Sequence, residues 1–357
     1  MKKVVVVGIV GIPACYGGFE SLVENLTSYT SSDVSYTVFC SSGSYKNRKV
    51  EHNGAKLIYL PLKANGAQSI FYDIISLVRT LFIRPDIVLV LGVSGCLFLP
   101  LFKAISRSKV VTNIDGLEWK REKWGLFTRK FLKWSESLAV RYSDVVITDN
   151  QAISDYVQQE YTITSKTIAY GGDHSLRNIN LEPSSDSSNF ALGLCRIEPE
   201  NNVEMILEAF SKTNRKLKFV GNWNNSDFGK RLFSKYSEFN NIELLNPIYD
   251  LDKLFVLRNQ CRLYLHGHSA GGTNPSLVEM MHFGVPILAF DCNFNRYSTG
   301  NHGHYFKSSE ELIKLMDTCS ESSLIDNSIA MKKLANERYV WKQITIDYED
   351  TYASHSD

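Results

Sequence analysis

The stretch His266–Gly284, HGHSAGGTNPSLVEMMHFG, decides how the rest of the chain is interpreted. An apolar run precedes it at Arg262–Leu265, and a second apolar run follows at Pro286–Phe290. This order predicts a buried strand, a glycine-rich turn, a helix and another buried strand. Such a unit, repeated along a chain, builds an α/β sheet.

The turn and the helix start carry the chemistry of this stretch. Gly271 and Gly272 allow the backbone to approach a ligand closely. Asn274 is suited to be the N-cap of the helix, with Pro275 in its first position. The unpaired amides and positive end of such a helix bind anions, and Glu279 beside them can accept hydrogen bonds from sugar hydroxyls. The pattern predicts a nucleotide-sugar site; the alternative is a capped helix with only a structural role.

Composition narrows the class of protein. The 357 residues are enough for two domains of ordinary size. An apolar content of 44% with 22% charged residues is typical of a folded globular chain. The net charge of +1 excludes a globally basic nucleic-acid binder. The seven cysteines form no CxxC pair, which favours a reducing compartment over a disulfide framework.

The N-terminal half opens with a strand, a glycine loop and a helix. Val4–Val7 is a run typical of a strand buried on both faces of a parallel sheet. The loop Gly8–Glu20 is longer than GxGxxG, with its glycine pair at the helix entrance. The next strand, Ser35–Cys40, is followed by serines and not by the acidic residue that binds an adenosine ribose. Both features disfavour a dinucleotide-dependent dehydrogenase.

Alternating strands and helices continue through both halves and predict two Rossmann-like, doubly wound α/β domains. The polar segment Asn178–Ser188 is interpreted as the connection between them. We therefore expect an N-terminal, acceptor-binding domain over residues 1–177 and a donor-binding domain over residues 178–340. Helical periodicity over Ser328–Tyr352 predicts a last helix, and residues 341–357 are expected to pack back on the N-terminal domain.

Two carboxylates follow the predicted strand Lys109–Asn113. Asp115 and Glu118 stand where open α/β sheets place their ligands. Either side chain is therefore a candidate for contacting or deprotonating an acceptor hydroxyl. A role as turn or cap residue is the alternative for each.

The segment Trp119–Trp134 interleaves basic and aromatic residues, with six Lys or Arg against one Glu. A helix of this composition can lie on an anionic membrane surface. It can equally be an amphipathic core helix with a solvated basic face. Nucleic acid is disfavoured as a partner because the basic track does not continue elsewhere in the chain.

Three further side chains of the C-terminal half are site candidates. Arg196 follows a predicted strand and can take a diphosphate in fork geometry; a surface salt bridge to Glu198 or Glu200 is its alternative. His266 and His268 are expected to line the donor pocket. As metal ligands they form a weak pattern, because no cysteine or carboxylate partner is near them in sequence.

Four segments in this order resemble the retaining glycosyltransferases of family 4, and more narrowly their bacterial rhamnosyltransferase-like branch. The four segments are residues 16–20 (YGGFE), 113–124, 196–202 and 271–279. The resemblance implies the GT-B fold, in which two Rossmann-like domains face a central cleft, and it implies neither a catalytic metal nor a cofactor.

The patterns described above and the resemblance together lead to an expected role for each candidate residue. Asp115 and Arg196 are the expected catalytic residues. The expected acceptor-binding residues are Tyr16, Phe19 and Glu118. The expected donor-binding residues are Gly17, Gly18, Arg196, His266, His268, Gly272, Thr273, Asn274, Ser276, Leu277 and Glu279.

Two positions depart from the broad family pattern. Asn201 stands where the family has a lysine, and Gly271 stands where it has a glutamate eight residues before the ribose-binding one. Both changes fit the rhamnosyltransferase branch. A 6-deoxy sugar has fewer hydroxyls to hold, which makes the loss of one carboxylate tolerable.

The resemblance implies transfer of a sugar, L-rhamnose from dTDP-rhamnose, with retention to a lipid-linked glycan in bacterial surface polysaccharide synthesis. The enzyme is then expected in the cytoplasm, peripheral at the inner face of the plasma membrane. The alternatives are a UDP- or GDP-sugar donor, a non-hydrolysing nucleotide-sugar epimerase, and a binding protein without catalysis.

Overall fold

The chain forms two compact units in a computed structural model that describes residues 1–15, 17–66, 68–120, 124–179 and 189–354. The first unit comprises Met1–Tyr170 together with the segment that begins at Trp341. The second unit is Gly171–Val340. Most of the predicted connection, residues 180–188, lies outside the described residues.

Each unit is built on one sheet. The strands of the first unit are β1 Lys2–Val7, β2 Val34–Ser41, β3 Glu51–His52, β4 Ala55–Leu60, β5 Ile87–Leu91, β6 Lys109–Asn113, β7 Val145–Thr148 and β8 Lys166–Thr167. Those of the second unit are β9 Phe190–Leu194, β10 Lys216–Val220, β11 Ile242–Leu245, β12 Leu263–His266, β13 Ile287–Phe290 and β14 His304–Phe306.

Helices follow most of these strands. In chain order they are α1 Gly18–Tyr29, α2 Gln68–Ile83, α3 Leu99–Ile105, α4 Leu126–Tyr142, α5 Gln151–Tyr161, α6 Val203–Ser211, α7 Asp227–Tyr236, α8 Leu251–Gln260, α9 Pro275–His282, α10 Asn293–Ser298, α11 Ser309–Thr318, α12 Glu321–Arg338 and α13 Trp341–Ala353. Short 3-10 turns flank several of them, among them Cys96–Phe98 and Glu118–Lys120.

The first sheet has the strand order β3-β4-β2-β1-β5-β6-β7-β8. Its pairings are parallel except for β3 with β4. Val4–Val7 of β1 is buried because β2 and β5 flank the strand and helices cover the sheet. The chain turns sharply after β1 at Gly8, which has φ +97°, and a Cβ there would lie 2.1 Å from the Leu91 carbonyl oxygen. The order of strands reverses between β1 and β5, so a crevice opens at their carboxyl ends.

The second sheet is parallel throughout, in the order β11-β10-β9-β12-β13-β14. Its core is apolar and includes Phe210 of α6 and Phe219 of β10, with Trp223 against Phe219 at 5.6 Å between ring centroids. The strand order reverses between β9 and β12. The carboxyl ends of these two strands therefore flank the crevice where such sheets bind ligands.

The helix predicted over Ser328–Tyr352 is two helices, α12 and α13. The Tyr339 carbonyl accepts hydrogen bonds from the Gly172 amide at 2.8 Å and from His282 Nε2 at 2.9 Å. Because these two bonds engage the carbonyl outside the helix, α12 ends at Arg338. α13 lies in the first unit, where Asn113 Nδ2 donates to the Tyr348 hydroxyl at 2.9 Å.

The division between the units falls earlier than the predicted boundary at residue 177. Residues 171–177 group with the second unit because their contacts lie there. Besides the bond from Gly172, His174 Nε2 lies 3.3 Å from Glu279 Oε1, and Arg177 Nε lies 3.7 Å from Asp252 Oδ1.

None of the helices in the described ranges combines the length and the apolar character needed to cross a bilayer.

Candidate functional site

The crevice of the second unit is bordered by two loops that are hydrogen bonded to each other. One loop, residues 195–202, follows β9, and the other, residues 267–274, follows β12. Ser269 donates twice to the Glu200 carbonyl, from its amide at 2.9 Å and from Oγ at 2.8 Å. Asn202 Nδ2 donates to the Gly267 carbonyl at 2.8 Å. The two loops thus form one continuous border.

The start of α9 closes this border. Asn274 is its N-cap and accepts the Ser276 amide at 3.0 Å, with Pro275 in the first turn, as predicted. Ser276 Oγ also donates to Asn274 Oδ1 at 2.8 Å. The Leu277 amide donates to the Asn274 carbonyl at 3.1 Å. Two of the amides expected to meet phosphates are therefore engaged by the cap, and the positive end of the helix faces the loop that contains Gly272 and Thr273.

Glu279 is held by two side chains, Arg258 and His174. Its Oε2 is paired with Nη2 of Arg258, and its Oε1 faces His174. Burial alone would raise the pKa of the Glu279 carboxyl, but Arg258 and His174 outweigh it and lower the pKa below its ordinary value. The carboxylate therefore stays ionised and fixed in position, so that it can accept hydrogen bonds from a ligand.

Arg258 is a functional candidate that sequence reasoning missed. It lies in α8 and is 5% exposed. A signal was present in the sequence, because Arg258 follows Leu254 and Phe255 at spacings of four and three residues, on the buried face of the helix.

Arg196 lies in the loop after β9, where it was predicted. Its side chain is 59% exposed, and Nη2 lies 3.7 Å from Glu198 Oε2. This is the surface pair that the sequence left open as an alternative. Its carbonyl accepts Asn201 Nδ2 at 2.7 Å, so the backbone at Arg196 is fixed while the guanidinium remains accessible.

His266 and His268 lie at the end of β12 with their ring centroids 6.1 Å apart. Both are buried, and His266 Nε2 has no hydrogen-bond partner within the part of the chain that the structure describes. Burial, and secondarily the proximity of His268, lowers the pKa of His266 well below its ordinary value. His266 is therefore neutral at physiological pH. Across the described ranges, no three His, Cys, Asp or Glu side chains are grouped to hold a metal ion.

In the first unit the glycine loop is closed by Glu20, a side chain for which no role was predicted. Glu20 Oε2 accepts the Gly17 amide at 2.9 Å, and Glu20 Oε1 accepts the Val10 amide at 2.7 Å. The carboxylate is buried and braces both ends of the loop. Gly18 opens α1 beside the Tyr170 ring, 3.5 Å from the position a Cβ would take.

Phe19 lies at the crevice between β1 and β5. Its ring is 3.7 Å from the position that a Cβ at Gly92 would take, and its centroid is 6.4 Å from that of Tyr170. The other predicted acceptor-binding residue of this region, Tyr16, lies outside the described residues.

Asp115 and Glu118 follow β6, one strand further along the sheet. Asp115 has φ +63°, and its amide donates to Asn113 Oδ1 at 3.0 Å. Glu118 Oε1 accepts the Trp124 indole N–H at 2.9 Å. The structure thus gives the Asp115 amide and the Glu118 carboxylate local contacts, and it brings Gly17, Gly18 and Phe19 together at the neighbouring crevice.

In the basic, aromatic segment the α-helix begins at Leu126, after a 3-10 turn over Glu118–Lys120, and residues 121–123 lie outside the described residues. It borders a groove of about 780 Å³. The groove is lined by Trp119, Lys120, Leu126, Arg129, Lys130, Lys133, Trp134, Ser137, Arg141, Glu160 and Tyr161. Leu126 and Phe127 are 79% and 87% exposed at the start of α4.

Contacts of Lys133 and Glu136 with three aromatic side chains support the inner wall of this groove. Lys133 Nζ lies 4.6 to 4.9 Å from the ring centroids of Trp119, Tyr156 and Tyr161. Glu136 accepts the Trp119 indole N–H at 3.1 Å and the hydroxyls of both tyrosines. The segment is thus a core element on one face and exposed on the other.

Comparison with known proteins assigns each half of the chain a family model. Residues 177–332 match glycosyl transferases group 1, and residues 1–173 match the domain of unknown function DUF1972. A search of curated proteins gave no match.

Solved structures share the fold over nearly the whole chain. Sucrose-phosphate synthase from Thermosynechococcus elongatus superposes with a TM-score of 0.81 at 12% identity, covering 99% of this chain and 98% of its own. HepE of Anabaena, solved in complex with UDP, gives 0.77 at 15% identity, covering 99% and 100%. A glycosyltransferase from Rickettsia africae gives 0.71 at 13% identity, covering 98% and 97%. The chain has the two-domain α/β fold of GT-B glycosyltransferases, as predicted.

Proposed function

We propose that the chain is a retaining glycosyltransferase that transfers a sugar from a nucleotide diphosphate to a lipid-linked glycan. The observation that carries the proposal is the arrangement at the crevice of the second unit. A glycine-rich loop and a helix N-terminus there adjoin an ionised, fixed carboxylate. The match of residues 177–332 to glycosyl transferases group 1 supports the same assignment.

The donor roles follow from the geometry. The backbone of Gly272 and Thr273, before the capped turn of α9, lies at the positive end of the helix and is assigned to the diphosphate. Ser276 and Leu277 hold that turn in shape through the cap. Glu279 accepts the ribose hydroxyls, and its neighbour Arg258 keeps it ionised. Arg196 is exposed and movable enough to turn from Glu198 to the diphosphate.

The transfer itself needs no protein nucleophile. The acceptor hydroxyl oxygen forms a bond to the anomeric carbon on the face from which the diphosphate departs. The bond between that carbon and the phosphate oxygen breaks, and the hydroxyl proton passes to the departing diphosphate. Arg196 and the helix end stabilise the negative charge that develops on the leaving group. Retention follows because attack and departure share one face.

The first unit is assigned to the acceptor. Gly17, Gly18 and Phe19 border its crevice, and Asp115 and Glu118 follow the neighbouring strand. The groove beside α4 has several cations and the exposed apolar side chains Leu126 and Phe127 at one edge. This combination suits an anionic membrane surface, where a lipid-linked glycan is presented.

dTDP-L-rhamnose is the proposed donor, because Gly271 lacks the carboxylate of the broad family pattern and a 6-deoxy sugar has fewer hydroxyls to hold. A UDP-sugar is the alternative; HepE of Anabaena has been solved with UDP-glucose, at 16% identity to this chain.

The test is transfer by the purified protein. Membranes carrying lipid-linked glycans are incubated with radiolabelled dTDP-rhamnose, and in parallel with UDP- and GDP-sugars. Arg196→Ala should lower the rate about a hundredfold or more. Arg262→Ala is the matched control, because Arg262 is also a surface arginine of the second unit, paired to Glu321 at 2.6 Å. If no donor supports transfer, the proposed function is refuted. If Arg196→Ala keeps full activity, the role of Arg196 is refuted.

A further inference from the structure

The helices α2 and α3 expose large apolar side chains along their outer sides. Phe71 and Phe82 of α2 are 64% and 82% exposed, and Ile75 lies exposed between them. Leu101 and Ile105 of α3 are exposed as well. Spacings of four, seven and four residues keep each set on one side of its helix. We call these side chains the α2–α3 face. Single exposed apolar residues are ordinary, whereas a group of them marks a contact surface.

The topology of the first sheet places these two helices in one layer with α4. The crossovers from β4 to β5 through α2, from β5 to β6 through α3 and from β6 to β7 through α4 run in the same direction across the strand order. Right-handed crossovers put all three helices on one side of a parallel sheet, and α3 packs against both α2 and α4. The crossover from β1 to β2 runs the opposite way, so α1 lies on the other side, where α13 packs against it.

Charge differs between these two sides. α2, α3 and α4 contain six basic residues and two acidic ones, and the acidic ones, Asp73 and Glu136, are buried. The helix α5, at the far edge of the same side, adds Asp155 and Glu160, of which Glu160 is paired with Lys133 at 2.9 Å. On the opposite side, α1 and α13 contain five acidic residues and one lysine. The side that exposes the apolar residues is therefore the cationic one.

An anionic lipid surface satisfies both properties of this side. Helices that lie in the plane of a membrane interface bury apolar side chains at the acyl boundary and hold cations near the lipid phosphates. Arg79 is exposed one turn from both Ile75 and Phe82, so it sets a cation within the α2–α3 face. A second copy of the chain is a poorer occupant, because a symmetric contact would set the cationic side against itself.

The two helices also begin at the edge of the sheet that carries the crevice. They follow the carboxyl ends of β4 and β5, and Phe71 and Leu101 lie in their first turns. The crevice between β1 and β5, where Phe19 lies, opens at the same edge. A lipid against these first turns therefore has its head group at the edge to which the acceptor is assigned.

We propose that the α2–α3 face is a membrane-contact surface which, together with the exposed edge of α4, lays this side of the first unit on an anionic bilayer. The acidic side formed by α1 and α13 then faces away from the lipid, as repulsion between like charges favours. The inference rests on the proposed function, because it supplies the means by which a lipid-linked acceptor is met at the bilayer.

Binding of the full-length protein to vesicles of equimolar phosphatidylglycerol and phosphatidylcholine tests the face. The double variant Phe82→Asp, Leu101→Asp leaves α4 unaltered and should weaken co-sedimentation at least about tenfold. Ile325→Asp with Ile329→Asp is the matched control, since both are exposed apolar side chains of α12 in the second unit. Unchanged binding of the first variant, or an equal loss in the control, would overturn the proposal.

A second measurement leaves the apolar character of the face intact. Phospholipids brominated on their acyl chains quench a tryptophan that enters the bilayer. The fluorescence added by Phe82→Trp, relative to the wild type, should be quenched by vesicles of brominated phosphatidylglycerol, whereas that added by Ile329→Trp should not. Equal quenching at the two positions, or none at Phe82→Trp, would overturn the proposal.

Sedimentation velocity without lipid tests the other occupant. A dimer that Phe82→Asp, Leu101→Asp dissociates would assign the face to a second copy and overturn the proposal, whereas a monomer is expected. The vesicle assays contain neither donor nor acceptor, so a negative result there removes the α2–α3 face and leaves the glycosyltransferase assignment intact. Absence of transfer from every donor, with vesicle binding retained, refutes the proposed function instead.

Discussion

Arg258 of α8 and Glu279 of α9 form a buried ion pair that joins the two helices behind the candidate donor site. The guanidinium is 6% exposed and the carboxylate 14% exposed, so neither charge is well solvated. The guanidinium lowers the pKa of the Glu279 carboxyl and keeps it ionised. Glu279, which is proposed to bind the ribose, is therefore held in place by Arg258, and Arg258 need not touch the nucleotide.

Replacing Arg258 by methionine should destabilise the second unit. The change leaves Glu279 buried without its main counter-charge, and breaking a buried pair from one side costs about 3 kcal/mol. Urea unfolding measures the loss. Arg262→Met, which removes the exposed partner of Glu321, is the control and should cost less than about 1 kcal/mol. Equal losses in the two variants would show that the Arg258 pair contributes no more than a surface one.

Asp73 of α2 should make stability depend on pH. Burial raises the pKa of its carboxyl from 3.8 to about 7, although Ser94 and the Gly95 amide hydrogen bond to it and act in the opposite direction. The folded chain therefore binds this proton more tightly than the unfolded chain. The contribution of Asp73 to stability is greatest below pH 3.8 and is lost as the pH rises through about 7.

Asp73→Asn removes this titration and retains an oxygen acceptor. The variant should match the wild type near pH 4 and exceed it by up to roughly 4 kcal/mol at pH 8. Free energies of unfolding across this range are the measurement. Ser94→Ala, which removes the hydroxyl donor but leaves the carboxyl, should keep the pH dependence. A difference between Asp73→Asn and the wild type that does not change with pH would contradict the prediction.

The exposed edge of α4 should control membrane binding. The double variant Phe127→Asp, Lys130→Glu removes an apolar anchor and reverses a charge. It should weaken association with phosphatidylglycerol-containing vesicles at least about tenfold in co-sedimentation. Tyr249→Asp with Lys230→Glu is the matched control, since it alters an exposed ring and an exposed lysine of the second unit. Unchanged binding would leave α4 a core helix with a solvated basic face.

The features that could be predicted from the sequence are those that depend on local pattern. The run Val4–Val7 identified β1 because a strand buried on both faces has no polar positions. Asn274 and Pro275 identified the start of α9 because capping depends on neighbouring residues. Arg196 and His266 were likewise predicted at strand ends, and they lie after β9 and at the end of β12.

What the sequence did not reveal depends on contacts between distant segments. The apolar period continues through Tyr339 and Trp341, so the break between α12 and α13 was not visible. It arises from the Tyr339 carbonyl meeting Gly172 and His282. Glu20 was seen only as part of a motif, because its partner Val10 is brought near by the turn after β1.

The position of α13 has a consequence for how the protein is made. Residues 1–170 leave the ribosome long before residues 341–353 have been synthesised. In the folded first unit, the Tyr36 hydroxyl is hydrogen bonded to the Tyr352 hydroxyl of α13, and Lys2 Nζ donates to the Tyr352 carbonyl at 2.8 Å. While the second unit is being translated, the surface of the first unit that α13 covers in the folded protein stays exposed. The first unit therefore completes its core only after the second unit has been translated.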